Sequence, residues 1–231
     1  MALPDRWGLA GRRLYLCTPD RADLEHFVEA CVTGGVDVVQ LREKQLDDEQ
    51  LLERAAVVQR VCRHHHVPFI LNDRPDLAAS VRADGVHVGQ EDLSPAAARR
   101  LMGDEAIIGL STHALSDLAA ACGEPPEGRP AATPAPVDYL SAGPVTPTPT
   151  KPGRPGTGLG YITAAVRRSP WPVWVTGGVD PGTVAGMVDA GARHFVVVRW
   201  LTESPDPEAA ARVLRRSIDQ AIGATPTSTG A

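Results

Sequence analysis

The chain of 231 residues is 43% hydrophobic, enough for a substantial core, and carries a net charge of −5. With no basic stripe, that balance excludes nucleic acid as a default partner. No apolar run approaches the ~18 residues a membrane span needs, and Met1–Trp7 carries Asp5 and Arg6 with no apolar stretch, so neither a membrane segment nor a signal peptide is expected. Cys17, Cys31, Cys62 and Cys122 show no metal or redox spacing and are expected to be buried thiols of a cytoplasmic protein.

Arg12–Thr18 (RRLYLCT) predicts a first strand, and Asp23–Val32 a helix ended by Gly34-Gly35. Val36–Lys44 (VDVVQLREK) predicts a second strand whose alternation sets Val38, Gln40, Arg42 and then Lys44 on one face. Val39 and Leu41 fall on the other face, which in a barrel packs against helices while Gln40 and Arg42 face the mouth. Asp47–His64 is the next helix, with Asp47-Asp48-Glu49 at its positive end. His64-His65-His66 looks at first like a metal ligand set, but three adjacent side chains at a helix end diverge, and cations there are ordinary.

Pro68–Arg74 (PFILNDR) and Asp84–Asp92 (DGVHVGQED) are short apolar runs that both end abruptly in oxygen-rich residues. Pro75–Arg82 between them has room for about two helical turns. A parallel pair joined by a helix brings both strand ends to one side. Asp73 and Asp92 are therefore expected side by side, at the edge where α/β barrels place their chemistry. Two carboxylates with neighbouring amides suit a hard cation that keeps several waters, Mg²⁺ above all. The competing reading makes each Asp the N-cap of the helix that follows.

Ser94 and Pro95 open a helix. Ala106–Thr112 (AIIGLST) is a fifth strand that runs into Ser111-Thr112-His113. There is no G-x-S-x-G elbow, and neighbours on a strand end point apart, so acyl transfer is not expected. Ser116 starts a short helix, and the Pro-rich insertion at 124–136 (EPPEGRPAATPAP) is expected to be a mobile surface loop rather than a domain linker. Val137–Gly143 is the sixth strand, followed by Pro144–Gly153, whose prolines stiffen a loop presenting Thr146, Thr148, Thr150 and Lys151. A plain polyproline surface loop is the alternative. Trp171–Gly178 is the seventh strand, closed by a Gly177-Gly178 pair that lets a phosphate approach the backbone. Asp180 and Pro181 open a helix, His194–Trp200 is the eighth strand, Asp206–Ile222 the last helix and 223–231 a disordered polar tail.

Of the 23 basic residues only Lys44 and Lys151 are lysines, and Asn72 is the sole asparagine. In a chain this biased towards arginine, those three mark places where a compact ammonium or short amide is needed. Each also lies next to a strand end proposed on other grounds. Eight strands alternating with eight helices over residues 1–222 predict a single-domain α/β fold, a closed (β/α)₈ TIM barrel. In that fold Gly177-Gly178 and Val198-Arg199 follow strands seven and eight, where a phosphate is commonly held. An open doubly wound sheet is the other candidate, but no G-x-G-x-x-G follows the first strand.

Six signatures carry a resemblance: QLREK (Gln40–Lys44), NDR (Asn72–Arg74), GQEDL (Gly89–Leu93), GLSTH (Gly109–His113), GPVTPTPTK (Gly143–Lys151) and Gly177-Gly178. In order and spacing the chain resembles the thiamine-phosphate synthase family from Leu14 to Leu201. The resemblance implies a transferase that joins a hydroxymethylpyrimidine diphosphate to a hydroxyethylthiazole phosphate and releases pyrophosphate. Carried over by motif, Gln40, Arg42, Lys44, Asn72, Ser111 and Lys151 hold the pyrimidine diphosphate, with Arg42, Lys44 and Lys151 as the catalytic cations. Asp73 and Asp92 hold Mg²⁺, Thr148, Thr150 and Gly178 contact the thiazole phosphate, and Val198 and Arg199 offer backbone N–H groups to its phosphate. Three residues depart from the family pattern: Thr146 stands where an aromatic is usual, His194 where a Gly is common and Arg199 where a Ser is common.

The chemistry implied needs no protein nucleophile or strong base, in keeping with the absence of a convincing one. An electron-rich aminopyrimidine can expel diphosphate, and cations at the mouth would take up the charge that gathers on the leaving group. Two other readings stand beside it: a thiazole tautomerase-like barrel, which moves protons and expels no diphosphate, and a non-catalytic barrel that binds ligands of the thiamine pathway. Small-molecule substrates are the expected partners, with no nucleic acid and no membrane. The sequence is compatible with a homo-oligomer without specifying one.

Overall fold

Eight short strands pair edge to edge in sequence order and close on themselves: β1 (Leu14–Thr18), β2 (Val38–Leu41), β3 (Phe69–Asn72), β4 (Gly85–Val88), β5 (Ile107–Thr112), β6 (Tyr139–Ala142), β7 (Val173–Thr176) and β8 (His194–Val197). Every neighbouring pair is parallel, including the closing pair in which Leu14, Tyr15 and Leu16 face Phe195, Val196 and Val197. The computed structural model describes residues 5, 7–124, 133–148 and 155–224. Around the barrel lie α1 (Leu24–Thr33), α2 (Asp48–His64), α3 (Pro75–Val81), α4 (Pro95–Met102), α5 (Leu115–Ala121), α6 (Gly158–Arg168), α7 (Val184–Asp189), α8 (Arg199–Thr202) and α9 (Pro207–Ala224).

The alternation on each strand sorts its side chains into two cores. Outward residues such as Leu14, Leu16, Val39, Leu41, Leu71 and Val86 pack under the helices. Inward ones, Tyr15, Val38, Ile70, Ile107, Tyr139 and Trp174 among them, fill the barrel. A parallel sheet buried on both faces has to be apolar on both, hence the near-continuous hydrophobic runs. The lower opening is plugged by the N-terminal segment: Leu9, in a single 3₁₀ turn (Leu9–Gly11), is buried in the inner core with Trp7 against it, and the Trp7 indole N–H reaches the Glu105 carbonyl at 2.9 Å.

Three aspartates share one task at that lower rim. Asp37, Asp84 and Asp138 each directly precede an even-numbered strand, β2, β4 and β6. Their carboxylates accept backbone N–H groups around the start of the strand before: Arg13 (2.9 Å) and Leu14 (3.0 Å) for Asp37, Phe69 (2.8 Å) for Asp84, and Ile108 (2.7 Å) for Asp138. Arg215 adds a 2.9 Å ion pair to Asp37, and Arg99 one of 2.7 Å to Asp138. These strand-start donors face buried surroundings, where an unmet donor costs about 1–3 kcal/mol. Asp84→Ala, which orphans the Phe69 N–H, should therefore lower stability by about that amount, a drop of a few °C in Tm at roughly 2–4 °C per kcal/mol for a chain this long. An unchanged melting curve would rule the role out.

Several expected boundaries shift. The strands are shorter than predicted: Val36-Asp37, Arg42–Lys44, Val137 and Gly177-Gly178 lie outside them, and Arg199-Trp200 begin α8 instead of continuing β8. The α8 turn is additional to the one helix per strand anticipated. Asp180 and Pro181 form a turn in which the Asp180 carboxylate accepts from Gly182 N (2.7 Å) and Thr183 N (3.0 Å), so α7 starts only at Val184. Gly223 and Ala224, expected in the tail, belong to α9, while 225–231 and residues 125–132 of the insertion lie outside the described residues. None of the four cysteines is in a disulfide; Cys122 is only half-buried, against expectation. Among the described residues no helix is long and apolar enough to cross a membrane.

Candidate active site

Going up each strand by two residues changes the character of the inward side chain. Val38 gives way to Gln40, Ile70 to Asn72, Ile107 to Gly109 and then Ser111, Tyr139 to Ser141, and Trp174 to Thr176. Below, apolar and aromatic groups seal the barrel. Above, a polar ring floors a cavity of about 590 Å³ at the C-terminal end of the strands. Gln40, Arg42, Lys44, Asn72, Asp73, Asp92, Ser111, Val198 and Arg199 all line it, so the alternation read along β2 and the strand ends of β3 and β4 converge as expected. A second cavity of about 400 Å³ adjoins it, with Thr176, Val198 and Arg199 lining both. Thr148, Gly177 and Gly178 line the second alone. Thr150 and Lys151 lie outside the described residues.

The two carboxylates do not cap helices. The residue preceding α3 is Arg74, with no side-chain cap, and α4 is capped by Ser94, whose hydroxyl accepts from Ala97 N at 3.3 Å. Asp73 sits in the left-handed region (φ +62°), uncommon for a residue with a side chain, and its N–H bonds the His87 carbonyl at 2.8 Å. That conformation ties the end of β3 to β4. The Asp92 carboxylate folds back on Gly89 N at 2.7 Å and lies beside Asp73. Lys44 Nζ pairs with Asp73 Oδ2 at 2.7 Å. Burial, opposed by Lys44 and reinforced by the neighbouring Asp92 carboxylate, raises the Asp73 carboxyl above its ordinary range. Adjacent hard oxygen donors whose charges repel are a fitting set for a divalent cation.

On the cavity floor the Gln40 amide donates to Asn72 Oδ1 at 2.9 Å, while Asn72 Nδ2 is buried and has no partner among the described residues. A buried donor without an acceptor is costly, and this one lines the cavity. Gln40 is thereby left with a carbonyl oxygen to accept and Asn72 with an amide to donate. In the second cavity Gly177 and Gly178 both have positive φ (92° and 77°). A Cβ would lie 2.4 Å from Pro144 Cβ at the first and 2.4 Å from Thr146 Oγ1 at the second, so the double glycine lets this loop lie flat against the 144–146 segment.

Sequence reasoning passed over His87 and Tyr139, both of which line the first cavity, as does His113. It also set aside Ser111 with a neighbouring His. Ser111 does bond an imidazole, but that of His87 on β4, whose Nε2 is 2.8 Å from the hydroxyl. His113 Nδ1 lies instead against the Gly143 carbonyl at 2.5 Å. Gln90, grouped with Asp92, donates to the Ser111 carbonyl at 2.6 Å and braces the end of β5. Alternation in Gly85-Val86-His87-Val88 was the available signal, since the period that turns Val86 outward turns His87 inward. Of the His64–His66 trio, His65 is engaged by Glu29 at 2.6 Å.

The thiamine monophosphate synthase family model matches residues 14–201. The chain is 42% identical over 178 residues to the thiamine-phosphate synthase of Acidothermus cellulolyticus, covering 74% of this chain and 78% of that one. It is 44% identical over 176 residues to that of Thermobifida fusca, covering 74% and 76%. Among solved structures, the thiamine phosphate pyrophosphorylase from Pyrococcus furiosus superposes with a TM-score of 0.78 at 26% identity, over 91% of this chain and 97% of that one. A 3-hexulose-6-phosphate synthase, at 18% identity and a TM-score of 0.62 over 89% and 99%, shares the fold. A parallel barrel with paired acidic strand ends, matched over most of its length in sequence and in structure, places this chain in the thiamine-phosphate synthase family.

Proposed function

We propose that the chain condenses a hydroxymethylpyrimidine diphosphate with a hydroxyethylthiazole phosphate to give thiamine phosphate and pyrophosphate, using Mg²⁺ held by Asp73 and Asp92. The convergence of these two carboxylates with Lys44 and Arg42 on one cavity carries the reading. Gln40 and Asn72 orient the aminopyrimidine: an acceptor oxygen and an unpartnered donor on one floor match an exocyclic amine beside a ring nitrogen. Arg42 and Lys44 face the diphosphate and take up charge as the carbon–oxygen bond breaks, and Lys151 is assigned the same task. Bound Mg²⁺ supplies further neutralisation of the departing diphosphate. Thr148, Gly178 and the Val198-Arg199 backbone hold the thiazole phosphate, a task also assigned to Thr150, so that its ring nitrogen meets the pyrimidine methylene where the cavities join. Holding the two reactants in register supplies much of the remaining rate. Arg199, exposed and lining both cavities, adds a positive charge between the two phosphate-bearing ends.

Incubation with both substrates and Mg²⁺, followed by chromatography, tests the reading. Thiamine phosphate and pyrophosphate should appear in equal amounts. A thiazole isomerised without pyrophosphate release would overturn it in favour of a tautomerase, and binding without turnover would favour a ligand-binding barrel.

Lys44 has a second consequence. Its ammonium occupies one side of Asp73 in the free protein, so it competes with a divalent ion until diphosphate draws it away. Lys44→Met should bind Mn²⁺ up to about fivefold more tightly without substrate, roughly the 1 kcal/mol at the upper end for a partly exposed ion pair, while losing activity. Mn²⁺ titration followed by electron paramagnetic resonance measures this; equal or weaker binding in the variant would refute the competition.

A further inference from the structure

Beneath the polar ring runs a chain of hydrogen bonds that the proposed reaction does not use directly. The Tyr15 hydroxyl lies 3.0 Å from that of Tyr139, the Tyr139 hydroxyl 2.9 Å from His87 Nδ1, and His87 Nε2 2.8 Å from Ser111 Oγ. Four strands contribute, β1, β6, β4 and β5, and all four side chains are buried. The His87 and Tyr139 rings stack at 25° with centroids 5.6 Å apart. Room for this pair comes from Gly109 on β5, where a Cβ would lie 2.1 Å from Tyr139 Cζ and 2.6 Å from His87 Nδ1. Glycine inside a strand weakens it, so its position under this contact marks the chain as a built feature.

We propose that His87 is a positioning residue that fixes the Ser111 hydroxyl as a hydrogen-bond donor into the cavity, with Tyr139 and Tyr15 setting its tautomer. Proton counting selects the direction. With a neutral imidazole the four groups hold four protons for three links, so one is surplus. If Ser111 donated to His87, Nδ1–H would point to Tyr139 and the surplus proton would fall on Tyr139 or Tyr15; both phenols also line the cavity but are only 1% and 2% exposed, against 6% for Ser111, and neither has a further nitrogen or oxygen acceptor among the described residues. In the opposite order Tyr15 donates to Tyr139, Tyr139 to Nδ1, and Nε2–H to Ser111 Oγ. The surplus proton then sits on Ser111, which lines the cavity, where a ligand or water accepts it. Burial, the largest cause for both phenols, raises their pKa values and keeps their protons in place. A donor here stands with the Asn72 amide, facing an acceptor-rich edge of the pyrimidine or its diphosphate oxygen. The proposal rests on Ser111 contacting that substrate.

Nitrogen-15 NMR of the ligand-free protein reads the tautomer directly, with His87→Asn assigning the signal: Nε2–H is expected, and Nδ1–H would overturn the proposal. Kinetics test the route of action. Ser111→Ala and His87→Asn should each raise KM for the pyrimidine diphosphate about tenfold, the scale of one neutral hydrogen bond, and leave KM for the thiazole phosphate unchanged. Because His87 acts through Ser111, the double variant should be no worse than the poorer single one. His87→Gln, whose side-chain amide can reach the Nε2 position, should recover most of the loss. Additive losses, or a Gln variant no better than Asn, would overturn the assignment. If the parent protein made no thiamine phosphate, the functional reading would fail by itself, while the tautomer would still decide the direction of the chain.

Discussion

Asp92→Ala is expected to lower kcat/KM by about 10³-fold or more, the scale of removing a preorganised electrostatic contact to a departing charged group, while the fold stays intact. The separation of these two effects follows from where Asp92 stands. It lies in the loop after β4 and caps no helix. Its carboxylate accepts a hydrogen bond from Gly89 N in the same turn. Losing an exposed bond of that kind costs about 0.5–1.5 kcal/mol, a few °C at most in a chain of this length. Activity depends on the same carboxylate differently. Without it, Asp73 keeps Lys44 as its ion-pair partner and loses the neighbour that would complete the proposed divalent-ion site. Initial rates over a range of Mg²⁺ concentrations, with a melting curve of the same sample, measure both quantities. Near-parental turnover at sub-millimolar Mg²⁺ would remove the metal assignment. Recovery only at high Mg²⁺ would support it, because Asp73 would then hold the ion alone. A collapse in Tm would instead make Asp92 a structural residue.

Acid should destabilise the protein through His194, at the far end of the barrel from the site. The imidazole is buried at the start of β8, with Nδ1 2.6 Å from the Arg12 carbonyl and the ring 5.1 Å from Trp174. Burial lowers its pKa from the ordinary 6.5 to about 4, with Arg13 and Arg193 adding to the fall and the Arg12 carbonyl opposing it. The unfolded chain therefore takes up a proton near pH 6.5 that the folded one refuses until about pH 4. The stability this group confers is fully present above pH 6.5, declines as pH falls through that interval, and is gone below about pH 4. Its size is about 3 kcal/mol, from 1.36 kcal/mol per pH unit. Asp37, Asp73 and Asp84 act in the opposite sense lower on the scale, since burial raises their carboxyls above 3.8 and protonation favours the folded form. The comparison that isolates His194 is urea unfolding of parent and His194→Asn at pH 7.5 and pH 4.5. Whatever the substitution costs at pH 7.5, the loss on acidification should be smaller in the variant. Equal losses in both would show that His194 is not the acid-sensitive group.

The position of His194 also accounts for a departure from the family pattern that motif comparison alone left open. Its side chain fills the lower barrel beside Trp174 and reaches the Arg12 carbonyl of the segment entering β1. It thus belongs to the seal under the site. Thr146 is likewise explained in part, since its hydroxyl lies where a Cβ on residue 178 would have to be. Thr146 thus packs against Gly178, which lines the second cavity.

How the site reads from sequence depends on how local its determinants are. Period-two alternation turned Gln40 into the barrel, Arg42 and Lys44 reach the same cavity from the loop after β2, and the strand–helix–strand spacing brought Asp73 to Asp92, because side-chain facing and parallel crossovers are properties of a short stretch of chain. The element order and the closed barrel were legible for the same reason. Strand ends were not: Arg199 and Trp200 turn into α8 where the apolar run continues, and Val36-Asp37 leave β2 so that Asp37 can bind the start of β1.

The amino-acid order alone thus determined the eight-fold alternation, the acidic strand tips and the rare lysine at the mouth. Only the closed barrel decided that Asp73 is partnered by Lys44, that Asn72 keeps an unspent amide, and that Tyr15, Tyr139, His87 and Ser111 touch. Those contacts join residues from 24 to 124 positions apart. The angle at which eight twisted strands meet sets their distances, and no local pattern of side chains encodes that angle.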